Sequence, residues 1–146
     1  MKTFLAQLKN KFFPLKAIVD TNIFVGAYWN RKSASAGILK AFEEGKIRLL
    51  YSEDIKKEVL FILRKIKVKK EFLNRVDKIF NSGRRVVVKQ NLNAVLEDKS
   101  DNKYFDCAFA GKARWIISSD KHFHKVRGFK IPVVNPSRFV EDVLKA

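Results

Sequence analysis

Short apolar runs alternating with helical patterns leave this chain few architectures. Leu15-Lys16-Ala17-Ile18-Val19 reads as a buried strand that ends at Asp20. A helical pattern over 34–44 follows and stops at Gly45. Ile47-Arg48-Leu49-Leu50-Tyr51 is a second strand, and Ser52 is placed to cap a helix in which Ile55, Val59, Ile62 and Ile66 recur at helical spacing. A basic amphipathic helix is expected over 70–80, stopping before Gly83, and Arg85-Val86-Val87-Val88 is a third strand. A helix over 101–112, a strand at Trp115-Ile116-Ile117-Ser118, a short strand at Ile131-Pro132-Val133-Val134 and a helix over 136–145 complete the pattern. No internal repeat and no Gly/Ser/Pro-rich linker interrupts it. Strands alternating with helices predict an α/β domain, a parallel sheet covered on both faces.

The charge of the chain says more about partners than about fold. Its 146 residues carry 31 Lys and Arg against 15 Asp and Glu, a net +16. Such an excess favours a polyanion, nucleic acid before an anionic membrane face. The single cysteine, Cys107, excludes an internal disulfide and a Cys-rich zinc site, and suits a reducing cytoplasm. No apolar run approaches the roughly 18 residues that a membrane span needs. The first residues begin like a signal peptide, but Gln7, Lys9 and Lys11 break the apolar stretch early. A soluble cytoplasmic protein without a membrane partner is expected.

Acids stand where such a sheet binds ligands. In open parallel sheets the ligand crevice lies beyond the carboxyl ends of the strands, and two strands lead into aspartates there, Asp20 and Asp120. Asp101 starts a helix and shares a face with Phe105 and Ala108, at i, i+4 and i+7, which aims it inward. Glu58 borders the apolar stripe of its helix, between Ile55 and Ile62. Each acid alone is equally well an ordinary helix cap or surface group. Together they form a cluster that is costly unless a cation neutralises it. Oxygen ligands without His or Cys suit Mg²⁺ or Mn²⁺, and an ion of that kind polarises phosphates and activates water.

These residues fall in blocks that resemble a known family. Ile18-Val19-Asp20-Thr21-Asn22-Ile23-Phe24-Val25 resembles the opening strand motif of PIN domains, a nuclease fold of many bacterial and archaeal toxins. The blocks Ser52 to Leu60, Asp98 to Ala108 and Trp115 to Asp120 are similar to the second, third and fourth acidic blocks, in order, within residues 16–140. The resemblance implies a three-layer α/β/α sandwich and a Mg²⁺- or Mn²⁺-dependent ribonuclease, often a toxin opposed by a cognate antitoxin, with a homodimer expected. It carries Asp20, Glu58, Asp101 and Asp120 over as catalytic and metal-site residues, and Asn22 and Ser118 as polar supports. Ser118 stands where the family usually has Thr, and Lys99 and Ser100 stand where relatives often have Pro and Asp. Residues 1–15 have no family counterpart and form a basic amphipathic extension, its stripe Phe4, Leu5, Leu8 and Phe12, before a nuclease domain over 16–146.

Other residues read more plainly. Asp106 lies about 140° around the helix from Asp101, which points to a flank or surface role. His122 and His124 read as loop residues after Asp120, and Cys107 as a small buried apolar side chain. Lys56, Lys57, Arg64, Lys65, Lys67, Lys69 and Lys70 load the central helices, while Arg84, Arg85, Lys121, Lys125 and Arg127 are expected in loops. As a set they imply salt-sensitive attraction to RNA. Tyr28, Trp29 and Arg31 suit either base stacking or a subunit contact. The competing readings are a non-catalytic RNA-binding module, which gains nothing from four acids, and an aspartyl phosphotransfer domain, whose motif wants an acid where Asn22 stands.

Overall fold

The computed structural model describes residues 15–93 and 98–145. Five parallel strands, β1 (Lys16–Val19), β2 (Arg48–Tyr51), β3 (Arg84–Arg85), β4 (Trp115–Ile117) and β5 (Val133–Val134), stand in the order β3-β2-β1-β4-β5. The chain therefore builds one half of the sheet outward from β1 and then returns to build the other half from β4. The switch point lies between β1 and β4, where Val19 is in register with Ile117. Helices α1 (Thr21–Trp29), α2 (Ala34–Glu43), α3 (Glu53–Lys65), α4 (Lys70–Ser82), α5 (Asn102–Gly111), α6 (Lys121–His124) and α7 (Pro136–Phe139) flank the sheet in a three-layer α/β/α sandwich.

Burial explains the apolar runs. Ala17, Ile18, Leu50, Ile116 and Ile117 are fully buried, as expected for strands covered on both faces. Helix α5 packs on β1, β2 and β4; α1 pairs with α2, and α4 packs on β2. The approach of α5 is close enough that a Cβ on Gly111 would clash with Leu50 Cδ2. Short polar caps start the helices: Ser52 Oγ accepts from the Ile55 N–H at 3.4 Å, and Ser33 Oγ from that of Ala36 at 3.1 Å.

Several elements differ from the sequence expectation. The third strand spans two residues, Arg84–Arg85, and not 85–88; Val86 keeps one bond, its N–H donating to the Tyr51 carbonyl at 2.7 Å, before the chain leaves the ladder. Arg84 thus lies in a strand, and Lys121, His122 and His124 in a helix, not in loops, while Arg85 keeps the strand place that its apolar run implied. Helix α1 was not signalled, because Ile23, Phe24, Val25 and Ala27 make it apolar nearly all round and leave no contrast to read. Helix α6 is too short to show a period. The closing helix is in two parts, α7 and a π-helical turn over Val140–Leu144. The amphipathic stripe at Phe4, Leu5, Leu8 and Phe12 lies outside the described residues.

Candidate active site

The first aspartate is held by the helix it starts and by the strand beside it. Asp20 directly follows β1 and caps α1, its Oδ1 accepting from the Ile23 N–H at 3.3 Å. Because Val19 is in register with Ile117, Ser118 comes alongside, and its hydroxyl donates to Asp20 Oδ2. The same Ser118 oxygen accepts from the Asp120 N–H at 3.0 Å. Ser118 is fully buried, and so ties the ends of the two central strands together. Asp120 in turn caps α6 through the His122 N–H at 2.8 Å, and His124 Nε2 stands 2.7 Å from the Ser118 carbonyl.

Glu58 reaches the same place from α3. Thr21 donates to its Oε2 at 2.8 Å, the Tyr104 hydroxyl donates to the same oxygen, and Lys103 Nζ lies 3.0 Å from Oε1. Asp101 occupies the N-cap position of α5 without making a side-chain cap bond. Asp20, Glu58, Asp101 and Asp120 all line one cavity of about 200 Å³, with Asn22, Thr21 and Tyr104. The cavity opens at the switch point between β1 and β4, where open α/β sheets bind their ligands.

The acids are not electrostatically equal. Burial pushes the Asp20 carboxyl up to about 6, against the hydrogen bonds from Ser118, Ile23 and Asn22. Burial also raises Asp101, to about 6, and the nearby charges of Asp98, Asp120 and Glu58 add to it. Burial would raise Glu58 too, but hydrogen bonds from Tyr104, Lys103 and Thr21 outweigh it and hold the carboxyl below its usual range. Desolvation and the bond to Glu58 drive the Tyr104 phenol far above its ordinary value, so it stays a donor. Glu58 already has its positive neighbour; Asp20 and Asp101 lack one of comparable strength. Among the described residues no group of three or more His, Cys, Asp or Glu is set to hold a metal ion. The donor set still suits one by its chemistry, since its members are oxygens that resist sharing the pocket as anions.

Three residues of the site escaped sequence reading. Thr21 sits inside the opening block, but its hydroxyl gives no sign that it faces Glu58. Tyr104 belongs to the apolar stripe of α5, and only its polar tip hints at a partner. Lys103 carries no signal, being one lysine among many.

The family model of the PIN domain matches residues 16–122. This chain belongs to the PIN-domain family. PIN domains are generally nucleases, and some act as toxins. An uncharacterised protein of Methanocaldococcus jannaschii is 31% identical over an alignment 145 positions long, which covers 90% of this chain and 93% of that protein. Among solved structures, the PIN domain resembles PAE2754 of Pyrobaculum aerophilum, with a TM-score of 0.61 and 12% identity over 90% of this chain and 91% of the other. It also resembles VapBC2 of Rickettsia felis, solved bound to a DNA fragment from their promoter. There the TM-score is 0.59 and the identity 16%, over 83% of this chain and 98% of the other.

The remaining residues singled out in the sequence of this PIN domain fall elsewhere. Asp106 is buried, 5% exposed, and not on a surface flank. Residues 86–93 cross that side of α5, and the Leu92 N–H donates to Asp106 Oδ1 at 2.8 Å. Tyr28 is structural: its hydroxyl accepts from the Lys69 N–H at 3.2 Å and its ring meets Phe72 edge-on, so it joins α1 to α4. Trp29 stays 67% exposed at the end of α1. The Cys107 thiol is buried and pushed up to about 12, which leaves it unreactive. Lys56 lies over the Phe80 ring, 5.9 Å from its centre, while Lys57 is exposed. Among the described residues no helix is long and apolar enough to cross a membrane.

Proposed function

We propose that this PIN domain is a Mg²⁺- or Mn²⁺-dependent endoribonuclease of toxin type, hydrolysing RNA phosphodiester bonds at its four-carboxylate pocket. The observation that carries the reading is the convergence of Asp20, Glu58, Asp101 and Asp120 on one cavity. These four residues would hold the ion, which when bound supplies Lewis-acid polarisation of a phosphoryl oxygen and a water of lowered pKa. The chain's own residues do the rest. Ser118 and the start of α1 fix the Asp20 carboxylate. Thr21 and Tyr104 orient Glu58, and the Lys103 ammonium beside it offers positive charge to an incoming phosphate. The net +16 draws the RNA backbone towards a pocket that would otherwise repel it.

The likeness to VapBC2 supports a cognate antitoxin as partner, acidic overall or carrying a basic side chain that competes with the metal. Cytoplasmic placement and a homodimer belong to the same reading. The decisive experiment is RNA hydrolysis by the purified protein with and without Mn²⁺. Cleavage that requires Mn²⁺ and stops on chelation is expected. RNA binding without cleavage at any metal concentration would instead leave a non-catalytic RNA-binding module. Growth arrest on expression, relieved by the product of a small adjacent reading frame, tests the toxin role separately.

A further inference from the structure

We propose that the cleft beside the carboxylate pocket is a nucleobase site, which holds one base of the RNA strand flanking the scissile phosphate; the proposal rests on the ribonuclease reading above. The cleft has a volume of about 700 Å³, within the range of pockets that enclose a small organic group. Val86, Val87 and Val88 line it, along the stretch where the chain leaves β3. Val87 is 67% exposed, a branched apolar side chain turned to solvent. Asn91 and Asn93 lie further along the same segment, and Ser52 and Asp54, at the start of α3, also line the cleft.

This lining is held in place. The Leu92 N–H is fixed to buried Asp106 at 2.8 Å, and the Val86 N–H to the Tyr51 carbonyl at 2.7 Å. A buried acid on the outer side of α5 is therefore explained: it anchors the segment that carries Asn91 and Asn93 across the helix.

Charge decides which part of a nucleotide fits. Arg85 is engaged by Glu53 at 3.6 Å, Lys103 by Glu58 at 3.0 Å, and the lining's three acids, Glu53, Asp54 and Asp106, balance its three cations, Arg85, Lys99 and Lys103, so a phosphate gains little net attraction inside. A neutral ring has apolar faces for the valines and a polar edge for the carboxamides, each of which both donates and accepts. Lys103 joins the two sites. It lines the cleft, while its ammonium donates to Glu58 at 3.0 Å and to the Ser100 carbonyl at 2.6 Å. A strand whose phosphate enters the carboxylate pocket passes Lys103, and its neighbouring base meets the cleft.

The test scans a single abasic nucleotide along a short RNA of fixed length and measures affinity by fluorescence anisotropy in chelator, so the phosphates stay constant. One position is expected to lose about tenfold, which corresponds to ~1.4 kcal/mol. In the exposed-site variant Val87→Ser, and in Asn91→Ala combined with Asn93→Gly, that penalty should vanish while the salt dependence stays. Glycine is used at 93 because Asn93 has φ of 53°. An abasic profile that is flat in the wild type, or unchanged in both variants, overturns the proposal; a cleft that takes a peptide instead would give that result. Parallel cleavage assays in Mn²⁺ separate the two readings. Loss of cleavage with the abasic penalty intact removes the nuclease and keeps the base site, whereas cleavage with a flat profile does the reverse.

Discussion

The two edges of the sheet carry opposite charge. At the carboxyl edge stand Asp20, Asp101, Asp120 and Glu58; at the amino edge Lys16, Arg48 and Arg84 open three neighbouring strands, with Lys112 beside them. In a parallel sheet with returning helices, helix N-termini gather at the first edge and C-termini at the second. Partial positive charge therefore meets the acids, and partial negative charge the bases. Lys16 shows the second case directly, donating to the carbonyl of Gly111 at the end of α5 at 3.1 Å. Helix ends supply only about half a charge each, so neither edge is fully compensated. Burial raises Asp20, and burial followed by the charges of Arg84, Arg48 and Lys112 lowers Lys16. The difference lies in depth. The acids line a cavity, which concentrates their field on one small cation, while Arg48, Arg84 and Lys112 are exposed and spread theirs over solvent.

The sharpest way to break this comparison is to remove an acid. Asp20→Asn or Asp101→Asn should lower RNA cleavage by about 10³-fold, the loss of several kcal/mol of transition-state stabilisation, while the fold persists. Near wild-type cleavage in saturating Mn²⁺ would show that residue to be dispensable.

Next in size is the dependence of stability on pH without metal. The Asp20 carboxyl titrates near 6 in the folded chain against an ordinary 3.8. Between about pH 4 and 6 the folded state keeps a proton that the unfolded state has lost, so stability falls as pH rises through that window. At roughly 1.4 kcal/mol per pKa unit, Asp20 alone accounts for about 3 kcal/mol. Asp101 acts in the same direction, with a smaller share because its carboxyl is more solvated. Glu58, held low, works the opposite way and loses its stabilisation as pH falls through its folded pKa. Thermal melts in chelator between pH 4 and 8 should show the decline, and Asp20→Asn or added Mn²⁺ should flatten it. An identical profile in the variant would mean that Asp20 is not strained in the folded state.

The amino edge is tested through its packing. A Cβ on Gly83, just ahead of β3, would lie 2.6 Å from the Leu49 carbonyl oxygen, a backbone atom that cannot swing aside. Gly83→Ala should destabilise the protein by about 1–3 kcal/mol in chemical denaturation. An unaffected midpoint would mean that β3 is not held where it stands.

The smallest effect is expected from reversing charge at that edge. Among the described residues neither Arg48 nor Arg84 has an acidic partner within 4.0 Å. Arg48→Glu with Arg84→Glu should weaken binding of a long RNA by about three- to tenfold and reduce the salt slope by roughly 0.7 for each phosphate no longer neutralised. Cleavage of a short RNA at saturation should stay as it was. A drop in that rate would show that the two edges communicate.

Much of this protein is legible in its residue order. The apolar runs determine a parallel sheet because strands buried on both faces need nearly continuous apolar side chains. Asp20 and Asp120 follow such runs, so their place at the carboxyl edge comes with the strands themselves. Local chemistry likewise sets the helix start at Ser52, where one side chain caps the backbone three residues on. What tertiary structure alone decided are relations between residues far apart in the chain. The order β3-β2-β1-β4-β5 puts Ser118 between Asp20 and Asp120; the packing of α3 against α1 and α5 brings Thr21, Lys103 and Tyr104 to Glu58; the crossing of 86–93 over α5 buries Asp106. Periodicity reports which face of an element is apolar, but not which neighbour covers it. A carboxylate's field, burial and partners are set by that neighbour.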